Sequence, residues 1–316
     1  MGTDTSRFHD CWIELSEHAL RTNLRFLKKM FGTGPTFASV IKGNAYGHGI
    51  ESFVPLALRC GVRQFAVFSA DEASRVRTVC GPETELMIMG DMPDPALPWA
   101  IENNVTFYVF DLRRLTGAVK AARKIGRPAR IHLELETGLN RTGFEPDKLA
   151  RVAERIEKAG DALSVEGTCT HYAGAESVGN YLRIQNQIAR FKRRVQRLRD
   201  LGVDPGMLHS ACSAAAINYP ETRMDLVRCG IAHYGFWPTA ETRIQYFTGR
   251  RSQAKSDLLH RVMEWKSRVM SLKRVRQGRF IGYGISYQAP RHMKIASVPV
   301  GYYHGFSRSL SNLGYV

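Results

Sequence analysis

No run of about 18 apolar residues occurs in the 316-residue chain, so no segment has the length and apolarity of a membrane-spanning helix. The six cysteines, at positions 11, 60, 80, 169, 212 and 229, form no Cys-x-x-Cys pair and no Cys/His metal spacing. A reduced, cytoplasmic chain with no metal site is therefore expected. The opening MGTDTSRFHDCW has no apolar core of a secretory signal. Low-complexity segments and strong internal repeats are also absent. Acidic residues are scarce, 29 against 45 Lys and Arg, which gives a net charge of +16. Between positions 249 and 294, twelve basic residues face two acids, Asp257 and Glu264. Such an excess would suit a nucleic acid. These residues are scattered through an apolar pattern, however, which reads as a solvated, lopsided surface, and no nucleic-acid partner is expected. With 44% hydrophobic and 23% charged residues the composition is that of a globular protein, neither disordered nor fibrous.

What the chain does contain is a rhythm. Strand-like segments at 36–41, 64–69, 85–90, 105–110, 130–136 and 164–170 alternate with amphipathic stretches at 50–60, 70–79, 113–125, 146–159 and 180–201. Such alternation predicts a parallel sheet covered by helices. About eight repeats over residues 13–240 would close a (β/α)8 barrel. After Phe236 the rhythm stops, and RVMSLKRV, GRFIGYGISY and KIASVPVGYY read as an all-β domain over residues 241–316. Residues 1–12 are expected to pair with that domain, and the polar stretch 239–256 to connect the two. The final SNLGYV looks like the start of another strand, so the second domain reads as incomplete and the sequence as a fragment.

In ASVIKGNAYGHG an apolar strand runs into a polar, glycine-rich turn, which places Lys42 at a barrel strand's C-terminal end, where such barrels carry chemistry. Neighbouring strands are expected to desolvate that lysine and lower its pKa, as a nucleophilic amine requires. Tyr46 and His48 add a hydroxyl and an imidazole to the same loop. These features alone do not separate catalysis from a surface lysine.

The whole string is more specific. KGNAYGHG resembles the pyridoxal-phosphate lysine motif of alanine racemases, usually KANAYGHG, and the likeness continues in order from WIELSEHALRTN to GFSRSLSN. The resemblance implies that Lys42 holds the cofactor through a Schiff base and that the Tyr46 hydroxyl binds its phosphate. HLELETGLNRTGF resembles the segment DTGMxRxG and implies that Arg141 reaches the substrate carboxylate. Glu134 stands where several members have a carbamylated lysine, and is expected to replace that carbamate as the partner of Arg141. THYAGAE and HSACSAAAIN imply that His171 lies beside a catalytic tyrosine, that His209 braces an arginine, and that Ser213 binds phosphate; Cys212 replaces a frequent asparagine. DLVRCGIAHYG resembles VRPGIALYG. It implies that Arg228 faces the pyridine nitrogen and that Gly230 and Ile231 offer backbone N–H groups to the phosphate.

GYGISY matches the motif of the family's second base, Tyr283, which enters from the other subunit of a homodimer. His171 and Arg228 are expected to depress its pKa. In VPVGYYHGFSR, Tyr302 lines the substrate entrance, while Tyr303 and His304 replace the usual Ala-Asp. The family chain continues by roughly another fifth, carrying a Met-containing motif and a late tyrosine that have no counterpart here.

The resemblance thus implies a cytoplasmic, homodimeric enzyme that uses pyridoxal phosphate and two bases to interconvert L- and D-alanine, supplying D-alanine for peptidoglycan. Decarboxylases of this fold carry a GGG loop and an EPGR string, and neither occurs. Two alternatives stay open: a racemase of broad or serine specificity, and a cofactor-binding protein without turnover.

Overall fold

In the computed structural model, which describes residues 10–249 and 257–314, the first strand, β1 (Cys11–Leu15), belongs to the smaller of two units. The larger unit is Ser16–Val262; the smaller joins the described residues before Ser16 to those from Met263 onward.

The larger unit holds β2 (Thr36–Val40), β3 (Gln64–Val67), β4 (Glu85–Ile88), β5 (Thr106–Val109), β6 (Ala129–Glu134), β7 (Leu163–Cys169), β8 (Met207–His209) and β9 (Leu226–Cys229). They form one parallel sheet in the order β8-β7-β6-β5-β4-β3-β2-β9. Its two edges meet through single bonds, not a ladder: Asp225 N–H donates to the Leu208 carbonyl at 3.0 Å, and Arg228 N–H to that of Ala211 at 3.0 Å. This is the expected eight-stranded α/β barrel, nearly closed. Continuous apolar runs such as TFYV suit strands buried on both faces, one against the barrel interior and one against helices. Helix ends are set locally. Ser16 caps Glu17–Phe31 by accepting from Ala19 N–H, and Asp111 caps Leu112–Ile125 by accepting from Arg114 N–H.

The barrel interior has two halves. Val40, Ala66, Met87, Tyr108 and Cys169 pack into one cluster, with Met89 and Phe110 against it. On β6, β8 and β9 the buried polar side chains are His132, Glu134, His209 and Arg228. The site forms around this polar half.

The units divide elsewhere than at the expected 12/13 and 240/241. Ile13, Glu14 and Leu15 pair with Trp265, Glu264 and Met263, extending the N-terminal strand into residues assigned to the barrel. Residues beyond 240 stay with the barrel because helix Ala240–Gly249 carries Tyr246, whose ring meets Phe26 and Trp237 at 5.6 and 5.3 Å. The polar look of 239–256 concealed that anchor; residues 250–256 lie outside the described ones.

The smaller unit is all β: β10 (Met263–Ser267) pairs with β1, β11 (Ser271–Val275) with β14 (Met293–Ser297), and β12 (Phe280–Ile281) with β13 (Tyr287–Gln288), each antiparallel. Met270, Leu272 and Ile285 are largely exposed on it.

Candidate active site

A cavity of about 800 Å³ is lined by Lys42, Tyr46, Glu134, Arg141, His171, Ser213, Arg228, Gly230 and Ile231, all from the larger unit. These residues come from loops that follow β2, β6, β7, β8 and β9 or from the last residues of those strands. Convergence there is what a parallel barrel offers.

Lys42 begins a turn of unusual hand. Gly43, Asn44 and Ala45 have φ of 63°, 54° and 55° with ψ near the same values, and Tyr46 has φ 54°. This is a left-handed helical turn, which costs a non-glycine residue roughly 1–2 kcal/mol. Backbone bonds close it, Ala45 N–H to Ile41 O at 2.8 Å and Gly47 N–H to Gly43 O at 3.0 Å. Lys42 itself is exposed, which corrects the expectation that strands enclose it: the turn lifts the side chain above the strand end. His48 packs inward instead, its ring 4.4 Å from that of Tyr234.

Tyr46 reaches from the end of β2 to the end of its neighbour β9. A Cβ at Gly230 would sit 2.6 Å from the Tyr46 hydroxyl, so glycine is required there for the phenol to reach this corner. Burial pushes the phenol up to about 12, so it stays a hydrogen-bond donor. Ser213 closes the same corner, and its Oγ accepts from Gly230 N–H at 3.0 Å. Gly230 N–H and the Ser213 hydroxyl, both expected at a phosphate, are thus brought together at one corner. Cys212 starts helix Ser213–Asn218 without a side-chain cap bond, a position where asparagine would supply one.

Arg228 is buried, with three of its five N–H donors committed. Nη1 donates to His209 Nδ1 at 2.5 Å; Nη2 donates to the carbonyls of Thr170 at 2.7 Å and Ser210 at 3.0 Å. With Nδ1 accepting, His209 carries its proton on Nε2 and donates to His132 Nδ1, 2.9 Å away. Burial, then the Arg228 charge, pushes His209 well below its usual range, and burial brings His132 down to about 4. Two neutral rings thus fix the guanidinium.

Glu134 and Arg141 are not joined as the sequence led us to expect. Among the described residues no ion pair within 4.0 Å links them; Glu134 Oε2 accepts from the Thr142 hydroxyl at 2.8 Å. Burial raises the Glu134 carboxyl, while the Thr142 bond and the Arg141 charge lower it. The reason is the loop's path. Glu136 accepts from Asn140 N–H at 2.9 Å and from Gly138 N–H, and Phe144 N–H returns to Glu134 O at 2.8 Å, so Thr142 faces the carboxylate and Arg141 is exposed.

His171 is held down to about 3 by burial and then by the charges of Arg228, Arg141 and Lys42. It is a neutral imidazole, so of the two expected ways of acting on a tyrosine, by charge or by a hydrogen bond, only the hydrogen bond is open to it. Tyr283 and Tyr302 belong to the smaller unit and are exposed, Tyr283 completely.

Sequence reasoning missed His132 and Tyr108. The signal for His132 was the alternation in RIHLELE, where His132 and Glu134 share one face of a buried strand. Tyr108 is buried in the apolar run of β5 and gave no such signal.

The family model described as alanine racemase, N-terminal domain, matches residues 15–238, and that described as alanine racemase, C-terminal domain, matches residues 262–316. A curated alanine racemase of Desulforamulus reducens is 35% identical over 308 residues, covering 96% of this chain and 79% of the relative. The solved alanine racemase of Streptomyces coelicolor superposes with a TM-score of 0.84 at 28% identity, over 96% of this chain and 78% of that one. A histidine racemase of Leuconostoc mesenteroides superposes with a TM-score of 0.79 at 26% identity, over 95% and 76%.

Proposed function

This chain belongs to the alanine racemase family, and from that premise we infer that it interconverts L- and D-alanine with pyridoxal phosphate as cofactor. One observation carries the reading: Lys42, Tyr46, Arg141 and Arg228 meet in a single cavity at the barrel's C-terminal end. The residues fit the cofactor. Gly230 leaves open the space that a Cβ would take from the Tyr46 hydroxyl, and Ser213 adds a second hydroxyl at that corner. Tyr46, Ser213, Gly230 and Ile231 would hold the phosphate, and Arg228 the pyridine nitrogen.

Bound there, pyridoxal phosphate supplies a carbonyl for the substrate amine and a ring that withdraws electrons from Cα. The chain's own groups do the rest. Arg141 orients the substrate carboxylate through its guanidinium fork. Lys42 takes or returns the Cα proton on one face, and Tyr283 of a second copy does so on the other. Arg228 keeps its own protons and gives none to the ring nitrogen, which limits charge spreading from Cα and favours return of a proton there. His209 positions Arg228, Glu134 acts on the Arg141 loop through Thr142, His171 offers a neutral hydrogen-bonding ring near the second base, and Tyr302 shapes the entrance. Exposed Met270, Leu272 and Ile285 support a homodimer, in which a second copy would cover them. All six cysteines are free, which supports a cytoplasmic setting.

A second reading, a wider side-chain preference, is favoured by the shared fold of the histidine racemase and by Tyr303 and His304 at the entrance motif. Deuterium incorporation at Cα of L- and D-alanine in D₂O, with pyridoxal phosphate, tests both. Exchange with inversion from either enantiomer is expected, and none in Lys42→Ala. Exchange of histidine or serine but not alanine would replace the first reading with the second. No exchange with any amino acid would sink both.

A further inference from the structure

The left-handed turn after Lys42 is braced from outside by side chains that do not belong to it. Glu72 sits in the first turn of helix Ala70–Arg77, which Ser69 caps by accepting from Glu72 N–H at 3.3 Å. The two oxygens of Glu72 are divided between neighbouring strand ends. Oε1 accepts from Asn44 N–H at 3.0 Å, in the turn after β2, and Oε2 accepts from Phe68 N–H at 2.9 Å, just after β3. Asn44 is held a second time through its side chain. Its Oδ1 accepts from Ile50 N–H at 3.1 Å and from Arg75 Nη2 at 2.7 Å. Arg75 is itself fixed by Glu51, with Nε and Nη2 donating to the two carboxylate oxygens at 2.7 and 2.8 Å. Hydrogen bonds to ionised groups are the strong ones, and two of these converge on one residue of a strained turn.

We propose that Glu72 and Arg75 are positioning residues for Lys42: by gripping Asn44 they hold the left-handed turn that presents the amine to the cavity. The proposal rests on the reading of Lys42 as the cofactor's attachment point. Backbone bonds alone close the turn at its ends. The grip on Asn44 ties it to the neighbouring strand and helix, so that the amine has one position and not several. Neither residue is among those lining the cavity described above. Glu51 serves only to aim Arg75.

The test uses the whole chain and four variants, Glu72→Ala, Glu72→Gln, Arg75→Ala and, as a control, Lys42→Ala. The first readout is amide hydrogen exchange of Asn44 and Ile50 without added cofactor. The second is the rate at which borohydride traps pyridoxal phosphate on Lys42, read by peptide mass. In Glu72→Ala, exchange at Asn44 should rise and trapping should slow at least tenfold, with the amides of β5 and β6 unchanged. Glu72→Gln keeps an acceptor for Asn44 N–H and should recover most of the trapping rate. Arg75→Ala removes an exposed side chain and should slow trapping several-fold in a fully folded protein, which keeps the test decisive if Glu72→Ala does not fold. Parent-like exchange and trapping in both alanine variants would overturn the proposal. Trapping in Lys42→Ala equal to the parent's would overturn the assignment of Lys42, while amide exchange would still judge the brace.

Discussion

Acid should unfold this protein early, and the reason lies in its histidines. His132, His171 and His233 are held down to about 4, 3 and 3, chiefly by burial, with Arg228 adding to the effect at the first two. In the unfolded chain a histidine takes up its proton near pH 6.5. Below that value the unfolded chain binds protons that the native barrel refuses, so stability falls as pH falls. Taking the pH from about 7.5 to about 5.5 costs a little over 1 kcal/mol per ring, roughly 4 kcal/mol for the three. His48 and His209 are shifted in the same direction and add to the loss. Glu134, raised by burial, works the other way, and only in the window just above its ordinary value. For a barrel of this size the sum is a fall in Tm of roughly 10 °C. Calorimetry across that pH interval measures it, and the slope should report the uptake of about three protons on unfolding at the acid end. A Tm unchanged within 2 °C, or one that rises toward acid, would refute the argument and show that these rings are solvated.

Gly230→Ala should weaken pyridoxal phosphate binding by tenfold or more, because the new Cβ would meet the Tyr46 hydroxyl at 2.6 Å; fluorescence titration reads this, and an unchanged Kd would remove Tyr46 from the phosphate corner. Arg228→Lys cannot serve His209, Thr170 and Ser210 together, and the acceptors left buried should cost about 2–4 kcal/mol in denaturant unfolding. A loss below about 0.5 kcal/mol would show that those bonds contribute nothing net. Glu134→Gln keeps an oxygen for the Thr142 hydroxyl and should leave the KM for alanine within about threefold, whereas a tenfold rise would restore a direct pairing with Arg141.

The barrel was legible because its physics is local. Each strand from β2 to β7 lies between amphipathic stretches, and each matches, to within one residue at its start, a segment singled out from the sequence. β8 and β9, three and four residues long, carry little periodicity of their own. Lys42, Tyr46 and Arg228 were legible only through their flanking motifs, since a single lysine or arginine at a strand end has no pattern. What escaped was whatever depends on the path of a loop. Spacing places Glu134 and Arg141 on the same hairpin, but it is Glu136 gripping Asn140 N–H that turns Thr142 inward. Likewise no pattern in GNAYGHG announces a left-handed turn at Asn44 and Ala45, residues that favour the right-handed form elsewhere.

The overall charge of +16 has a local meaning in this cavity. The charged groups that His171 feels are Arg228, Arg141 and Lys42, and all three are cations. Arg228 is satisfied by neutral acceptors, two carbonyls and an imidazole, which fix its geometry without cancelling its charge. Glu134, the acid nearest to offsetting it, is pushed by burial toward its neutral form. A protonated histidine here would add to a field already positive, and burial forbids it. The cavity is lined by four basic residues, Lys42, Arg114, Arg141 and Arg228, against three acids, Asp91, Glu134 and Glu176, of which Glu134 is buried, so it leans positive in a partly desolvated space, where such fields act most strongly. That field suits the two anions an amino-acid racemase using pyridoxal phosphate must hold at once, a carboxylate and a phosphate, while Lys42, exposed and not a guanidinium, is the one of these cations able to exchange a proton.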